Sequence, residues 1–297
     1  MIQSSGLTDI GFRRELNEDS FRVTYLDENK EFAFIAVADG FGSRASDLFA
    51  APLALNEIEK MLKRAIDSQA EKMKEDARFT EFILNNAMYS TNRILSAFKV
   101  GNEEYYSGFG CSCTCLLVYD NNKFAYAHTG NTRLALIRVD TKNGNEPKFR
   151  WLTIDDTQAQ KLVEEGLLDE NQYYSTFERN QLTSYLGVGT DEFLNIQSFT
   201  GKLRDKDILV LSTEGIHYAY NPNAITRIVL QSETCDIAVS NLIAASRELQ
   251  MPANSTAIVT YFTSQNWYKN RTTFQRSGSF LLSFIFLSTS KFTILFV

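Results

Sequence analysis

Apolar residues in this chain follow two spacings, and the change from one to the other divides it into strands and helices. Short runs rich in β-branched and aromatic residues predict strands over 20–26, 32–38, 112–119, 123–129, 134–139, 208–211 and 256–262. Apolar residues three and four apart predict helices over 47–64 and 80–98, with weaker helical patterns over 159–165 and 234–249. Tyr119-Asp120-Asn121-Asn122-Lys123 reads as a hairpin turn, because asparagine tolerates the positive φ of a tight turn. The long helices fall between hairpin-like strand pairs without regular strand–helix alternation. That favours an α+β layered sandwich over a doubly wound parallel sheet. Gly187-Val188-Gly189 precedes no helical pattern, so a nucleotide-binding loop is excluded.

No Gly/Ser-rich linker interrupts the chain before residue 265, which predicts one domain over 1–264 and a distinct tail over 265–297. The tail is basic through Lys269, Arg271 and Arg276, then rich in Phe, Leu, Ile and Ser over 279–297 with Lys291 its only charge. That stretch is near the minimum length for a membrane span. Lys291 would cost about 2.5–3.5 kcal/mol at a bilayer centre, less if it snorkels from near the chain end. Membrane contact through 279–297, a packed or disordered appendage, and a tail of no selected function stand as alternatives. The first thirty residues carry no basic segment followed by an apolar stretch, so the expected location is the cytoplasm.

At 297 residues, 44% hydrophobic and 22% charged, the composition is that of a globular protein able to bury a large core. A net charge of -6 argues against a nucleic-acid binder, which needs a basic face. Cys111, Cys113 and Cys115 alternate, so on a strand they share one face. Neighbours at that spacing lie about 6.5–7 Å apart, which suits neither a disulfide nor a zinc site on one strand. They read as small buried core residues in a reduced compartment. Only His128 and His217 are present, too few for a histidine zinc site, and no Ser-His-Asp set assembles around them. His128 reads as a hydrogen-bonded structural residue on a half-buried strand. The glycosylation-type triplets Asn254-Ser255-Thr256 and Asn270-Arg271-Thr272 are expected to be idle without a secretory leader.

The chemistry concentrates in Asn17-Glu18-Asp19, Asp39-Gly40 and Glu214-Gly215, each where a β-like run gives way to a turn. A carboxylate at the end of a buried strand is costly unless a cation or dense hydrogen bonding compensates it. If such ends converge, they make an oxygen-rich pocket suited to magnesium or manganese. Read one at a time, each acid more simply caps a turn or the following helix.

The surrounding motifs separate these readings. Arg14-Glu15-Leu16-Asn17-Glu18-Asp19-Ser20 resembles the opening Arg-x-x-Asn-Glu-Asp-Ser signature of the metal-dependent protein phosphatases, protein phosphatase type 2C, in their bacterial form. Val37-Ala38-Asp39-Gly40-Phe41-Gly42 resembles the Val-Ala-Asp-Gly-Met-Gly strand end. Gly110-Cys111-Ser112-Cys113-Thr114, His128-Thr129-Gly130-Asn131-Thr132-Arg133 and Leu152-Thr153-Ile154-Asp155-Asp156-Thr157 follow in the family's order. Leu182-Thr183-Ser184-Tyr185-Leu186-Gly187 and Asn254-Ser255-Thr256 complete the series, and Arg179-Asn180-x-Leu182-Thr183 resembles the bacterial flap segment.

The resemblance implies a four-layer αββα sandwich, two antiparallel sheets flanked by helices, with a metal site at one end. It implies a phosphatase acting on phosphoserine or phosphothreonine of proteins, opposite a protein kinase, with two manganese or magnesium ions. Asp39 would bridge the ions, Glu18 and the Gly40 carbonyl would complete one of them, and Asp19 would hold metal-bound water. Arg14 would clamp the phosphate with the planar geometry that lysine lacks. The chain also departs from the pattern. Glu214 stands where the family has Asp, Ala253-Asn254 where it has Asp-Asn, Asn131 for an Asp, Asp156 for a His and Ser184 for an Arg. These departures weaken the second ion site, which Glu214 would still serve, and imply slow turnover. The alternative they raise is a pseudophosphatase that binds a phosphoprotein or kinase without turning it over.

Overall fold

The computed structural model of the protein describes residues 2–42, 49–99, 108–139 and 146–263. Of the two units into which the chain divides, Met1–Ser264 and Gln265–Val297, it describes the first. The tail expectations, Lys291 and the Asn270 triplet included, and the start of the helix predicted from residue 47 lie outside the described residues. Among the described residues, no helix is long and apolar enough to cross a membrane.

The described strands form two five-stranded antiparallel sheets. One runs β1 (Ile2–Asp9), β10 (Ser255–Phe262), β9 (Ile208–Ser212), β6 (Arg133–Arg138) and β7 (Lys148–Trp151). The other runs β2 (Asp19–Tyr25), β3 (Phe32–Phe41), β4 (Gly110–Tyr119), β5 (Lys123–Thr129) and β8 (Gln197–Lys202). Side chains on a strand alternate between faces, so each apolar strand feeds two cores. In β3, Phe34, Ala36 and Ala38 pack beneath α1 (Ala50–Glu75) and α2 (Ala77–Lys99). Ala33, Ile35 and Val37 point the other way, into a layer shared with Leu209, Leu211 and Ile258 of the first sheet. The first sheet's outer face carries Val210, Ala257 and Val259 against α5 (Pro222–Gln231) and α6 (Cys235–Glu248). Two shorter helices, α3 (Gln158–Glu164) and α4 (Glu214–His217), sit in the connections. This is the expected αββα sandwich.

Each predicted strand is present within a few residues, and the hairpin turn holds Asp120 at φ 44° and Asn121 at φ 67°. The strands that the pattern did not reveal are β1, β7 and β8, all at sheet edges, where a half-exposed strand needs no apolar alternation. The missed helix α5 has its start signals, Asn221 accepting the Ala224 N–H at 2.9 Å and Pro222 in the first turn. One expectation is corrected. Asp39-Gly40 does not end its strand: β3 continues to Phe41, with Asp39 opposite Ser112 and Gly40 opposite Cys111 of β4. Gly40 permits this, because a Cβ there would meet the Glu18 carbonyl oxygen at 2.6 Å, the atom to which its own N–H donates.

The thiols behave as expected. Cys111, Cys113 and Cys115 are buried and free on the helix-covered face of β4, and Cys235 is buried at the start of α6. Burial pushes the Cys111 and Cys115 thiols well above their ordinary range.

A buried ion pair locks the segment after β7 to the first sheet. Arg133, the first residue of β6, donates through Nε and Nη2 to both oxygens of Asp155 at 2.7 Å. The Tyr173 hydroxyl donates to the same carboxylate at 2.5 Å. Burial alone would raise the Asp155 carboxyl, but the Arg133 guanidinium outweighs it and holds the group below its usual value. A depressed carboxyl stabilises the fold above its unfolded pKa, and that contribution is lost as pH falls through the folded value. We therefore expect Asp155→Asn, which leaves the guanidinium buried and unpaired, to cost about 3–5 kcal/mol in urea unfolding at neutral pH. The difference from the parent should shrink below about pH 4. A midpoint equal to the parent's at pH 7 would contradict this role.

Candidate active site

The antiparallel register sets the centre of the site. Asp19, the first residue of β2, pairs directly with Asp39 of β3, and Ser112 of β4 stands on the other side of Asp39. The first sheet reaches across to Asp19: Thr213, after β9, and Thr256, in β10, donate their hydroxyls to Oδ2 at 2.8 and 2.6 Å. Oδ1 of the same carboxyl is buried without a hydrogen-bond donor. Glu214 follows Thr213 directly, as the first residue of α4.

Burial raises all three acids in this group. Asp19 is pushed up to about 7 by burial, against the hydrogen bonds from Thr256 and Thr213. Asp39 lies well above the carboxylate range through burial and the charges of Asp19 and Glu214, with Arg14 pulling the other way. Glu214 is raised by burial, and Arg14 and Arg179 draw it back. Like charges held this close out of water cannot all ionise unless a cation joins them.

Beside Asp39 opens a cleft of about 700 Å³, whose wall includes Arg14, Glu18, Asp39, Gly40 and Glu214. The structure thus gathers these five sequence-derived residues in one place, whereas Asp19 is buried and does not line the cleft, meeting it only through Asp39, its partner across β2 and β3. Asn254 holds the loop that carries Arg14 and Glu18. It accepts the Glu18 N–H at 3.0 Å and donates to the carbonyls of Ile10 at 2.8 Å and Leu16 at 3.0 Å. Ala253 lines the same cleft with only a methyl group to offer. It is pressed against Gly11, at φ +76°, where a Cβ would meet the Ala253 carbonyl oxygen at 2.0 Å. Asn131 also lines the cleft, its side-chain oxygen accepting the Ser112 hydroxyl at 2.8 Å.

The other departures serve the scaffold. Asp156 accepts the Gly130 N–H at 2.8 Å and the Asn195 amide at 2.7 Å. The Ser184 hydroxyl meets that of Thr129 at 2.7 Å and accepts the Asn195 N–H at 2.8 Å. The strand of His128 is buried along nearly its whole length rather than half-buried, and the ring nitrogens of His128 contact the Thr114 hydroxyl at 2.9 Å and the Ile154 carbonyl at 3.1 Å. The structural role expected for it stands.

Sequence reading missed Arg179 and the two threonines that hold Asp19. Arg179 enters the cleft wall from a 3-10 turn, Phe177–Asn180. Its signal was the Arg-Asn-x-Leu-Thr motif, where it was quoted without a role. Thr256 stood in the Asn254-Ser255-Thr256 motif without a role, and Thr213 left no local signal, since its partner Asp19 lies on the other sheet.

Among the described residues, no three His, Cys, Asp or Glu side chains form a ready-made metal cage. The donor set still fits a hard divalent ion. It consists of carboxylates and a backbone carbonyl, it leaves one buried oxygen unpartnered, and such ions accept water as remaining ligands.

Comparison with known proteins gives matches in a family model, in sequence and in fold. The family model described as Protein phosphatase 2C matches residues 13–216. The chain is 25% identical over 246 residues to the protein phosphatase PhpP of Streptococcus pneumoniae, covering 83% of this chain and 88% of that one. In fold it is similar to a bacterial serine phosphatase at TM-score 0.76 and 20% identity, covering 90% of this chain and 100% of the other. It is also similar to the Mycobacterium tuberculosis serine/threonine phosphatase PstP/Ppp at TM-score 0.70 and 23% identity, covering 88% and 99%. A structure of the PstP catalytic domain in complex with 2 manganese ions matches at TM-score 0.68 and 21% identity, covering 88% and 98%. With its motifs in order, its carboxylates in one cleft and most of its length matched, the chain belongs to the protein phosphatase 2C family.

Proposed function

We propose that the protein is a metal-dependent serine/threonine phosphatase that hydrolyses phosphoserine or phosphothreonine on proteins, in opposition to a protein kinase. The observation that carries this reading is the Asp19–Asp39 pair, in register across two strands, with Asp39 opening into a cleft that Arg14 and Glu214 also line. Asp39, Glu18, the Gly40 carbonyl and Glu214 are the residues that would hold manganese or magnesium. Such an ion, when bound, neutralises phosphate charge and lowers the pKa of a water.

The chain's own residues do the rest. Arg14, exposed on the cleft wall, binds phosphate oxygens through its planar guanidinium. Asp19, fixed through Oδ2 by two threonine hydroxyls, keeps Oδ1 available to orient water. Glu214 and Ala253 reduce the donors available to a second ion without removing the first set, and no observation favours binding without turnover.

Three outcomes are expected. In calorimetric titration, Asp39→Asn should lower manganese affinity by more than Glu18→Gln or Glu214→Gln, and by at least the roughly tenfold that loss of an outer partner causes. An Asp39→Asn affinity equal to the parent's would sink the shared-carboxylate reading. A phosphothreonine peptide should be hydrolysed with manganese and scarcely with calcium, which activates water poorly. Turnover that survives a chelator would remove the metal from the mechanism. Lastly, Ala253→Asp with Glu214→Asp should raise manganese-dependent thermal stability and rate beyond the sum of the single changes, because both act on one ion. Additive or absent gains would show that Ala253 does not face that ion.

A further inference from the structure

Tyr218 stands beside two guanidinium groups. It closes the turn that Glu214 begins, donating its backbone N–H to the Glu214 carbonyl at 3.0 Å, and it lines the cleft. The guanidinium carbon of Arg179 lies 4.8 Å from the centre of its ring, and that of Arg133 lies 5.7 Å away. Both are within cation–π range.

The two arginines are held very differently. Arg133 is buried, gripped on both oxygens of Asp155, and has the rings of Trp151, Tyr173 and Tyr174 within 5.1 to 5.8 Å. Arg179 sits half-buried on its 3-10 turn, with one donor spent on the Tyr174 carbonyl. Two bare cations at one ring would repel each other. The Asp155 carboxylate cancels the charge of Arg133, so Arg179 gains the attraction of the ring without that repulsion. The His217 ring, edge-on at 4.7 Å, and the Tyr174 ring at 5.9 Å keep the Tyr218 ring from turning away.

We propose that Tyr218 is a positioning residue: its ring holds the Arg179 guanidinium at the cleft wall, where that group helps to bind the phosphorylated segment. The stacking rests on the geometry alone, and its effect on turnover rests on the phosphatase reading above. Tyr218 does not touch the reacting atoms, so its loss acts on binding and spares the chemical step.

The test uses the full chain with manganese and a phosphothreonine peptide. Tyr218→Leu should raise KM by about three- to tenfold, the loss of one cation–π contact, with kcat nearly unchanged. Tyr218→Phe keeps the ring face and should restore the parent KM. In an Arg179→Gln background, Tyr218→Leu should raise KM no further. An equal rise in both backgrounds, or a Phe variant as impaired as the Leu variant, overturns the proposal. An independent readout is the Arg179 Nε–H resonance, assigned by its loss in Arg179→Gln. It should carry a ring-current shift that Tyr218→Phe keeps and Tyr218→Leu removes. If the parent hydrolyses nothing, the phosphatase reading fails while this resonance still decides the stacking. An unshifted resonance in the parent overturns the inference even where the Leu variant fails to fold.

Discussion

Two carboxyl groups stand directly opposite each other across β2 and β3, and burial sets the terms on which both can be charged. Much of the surrounding structure answers that constraint. The first sheet sends two threonine hydroxyls to Asp19, so the acid at one sheet's edge is held by the other sheet. Gly40 has no Cβ, which lets β3 run close enough to Glu18 for its N–H to reach the Glu18 carbonyl. Asn254 stitches the intervening loop in place with both ends of its amide. These hydrogen bonds fix where the acids sit but do not neutralise them. A site preorganised in this way, with its charge uncompensated, is poised for a cation.

Chemistry and recognition are built on different kinds of backbone. Asp39 has ladder partners on both sides, Asp19 and Ser112, and Asp19, on the edge strand, is tied to Asp39 on one side, so neither can shift without breaking register. Arg14 sits on a loop and Arg179 on a 3-10 turn, where the chain can alter without disturbing the sheets. The buried Arg133–Asp155 pair is the anchor between these two worlds, with the Tyr173 hydroxyl tying the turn-forming segment to it. Substrate preference could therefore drift on this scaffold while the central carboxylates stay fixed.

What the sequence made legible follows from burial. Strands β3, β4, β9 and β10 are covered on both faces and appear as near-continuous apolar runs, whereas β1, β7 and β8 lie at edges and carry no such pattern. The acids of the site were legible because they sit in short local motifs. Their consequence for β3 was not, because whether Asp39-Gly40 turns or continues depends on Glu18, from another strand's approach. Asn254 and Thr256 were marked by a motif, but what they and Thr213 hold was not, because each acts across more than forty residues of chain or from one sheet to the other.

The cysteines carry a practical consequence. All four are buried and outside any disulfide, three of them under the paired helices α1 and α2, with the Cys111 and Cys115 thiols held neutral well above neutral pH. A thiol that is neither exposed nor ionised does not react with an alkylating reagent. Labelling must therefore wait until the helices lift from β4 or the chain opens altogether. The native thiols thus act as an intrinsic clock for opening of that layer, readable by mass without a single substitution.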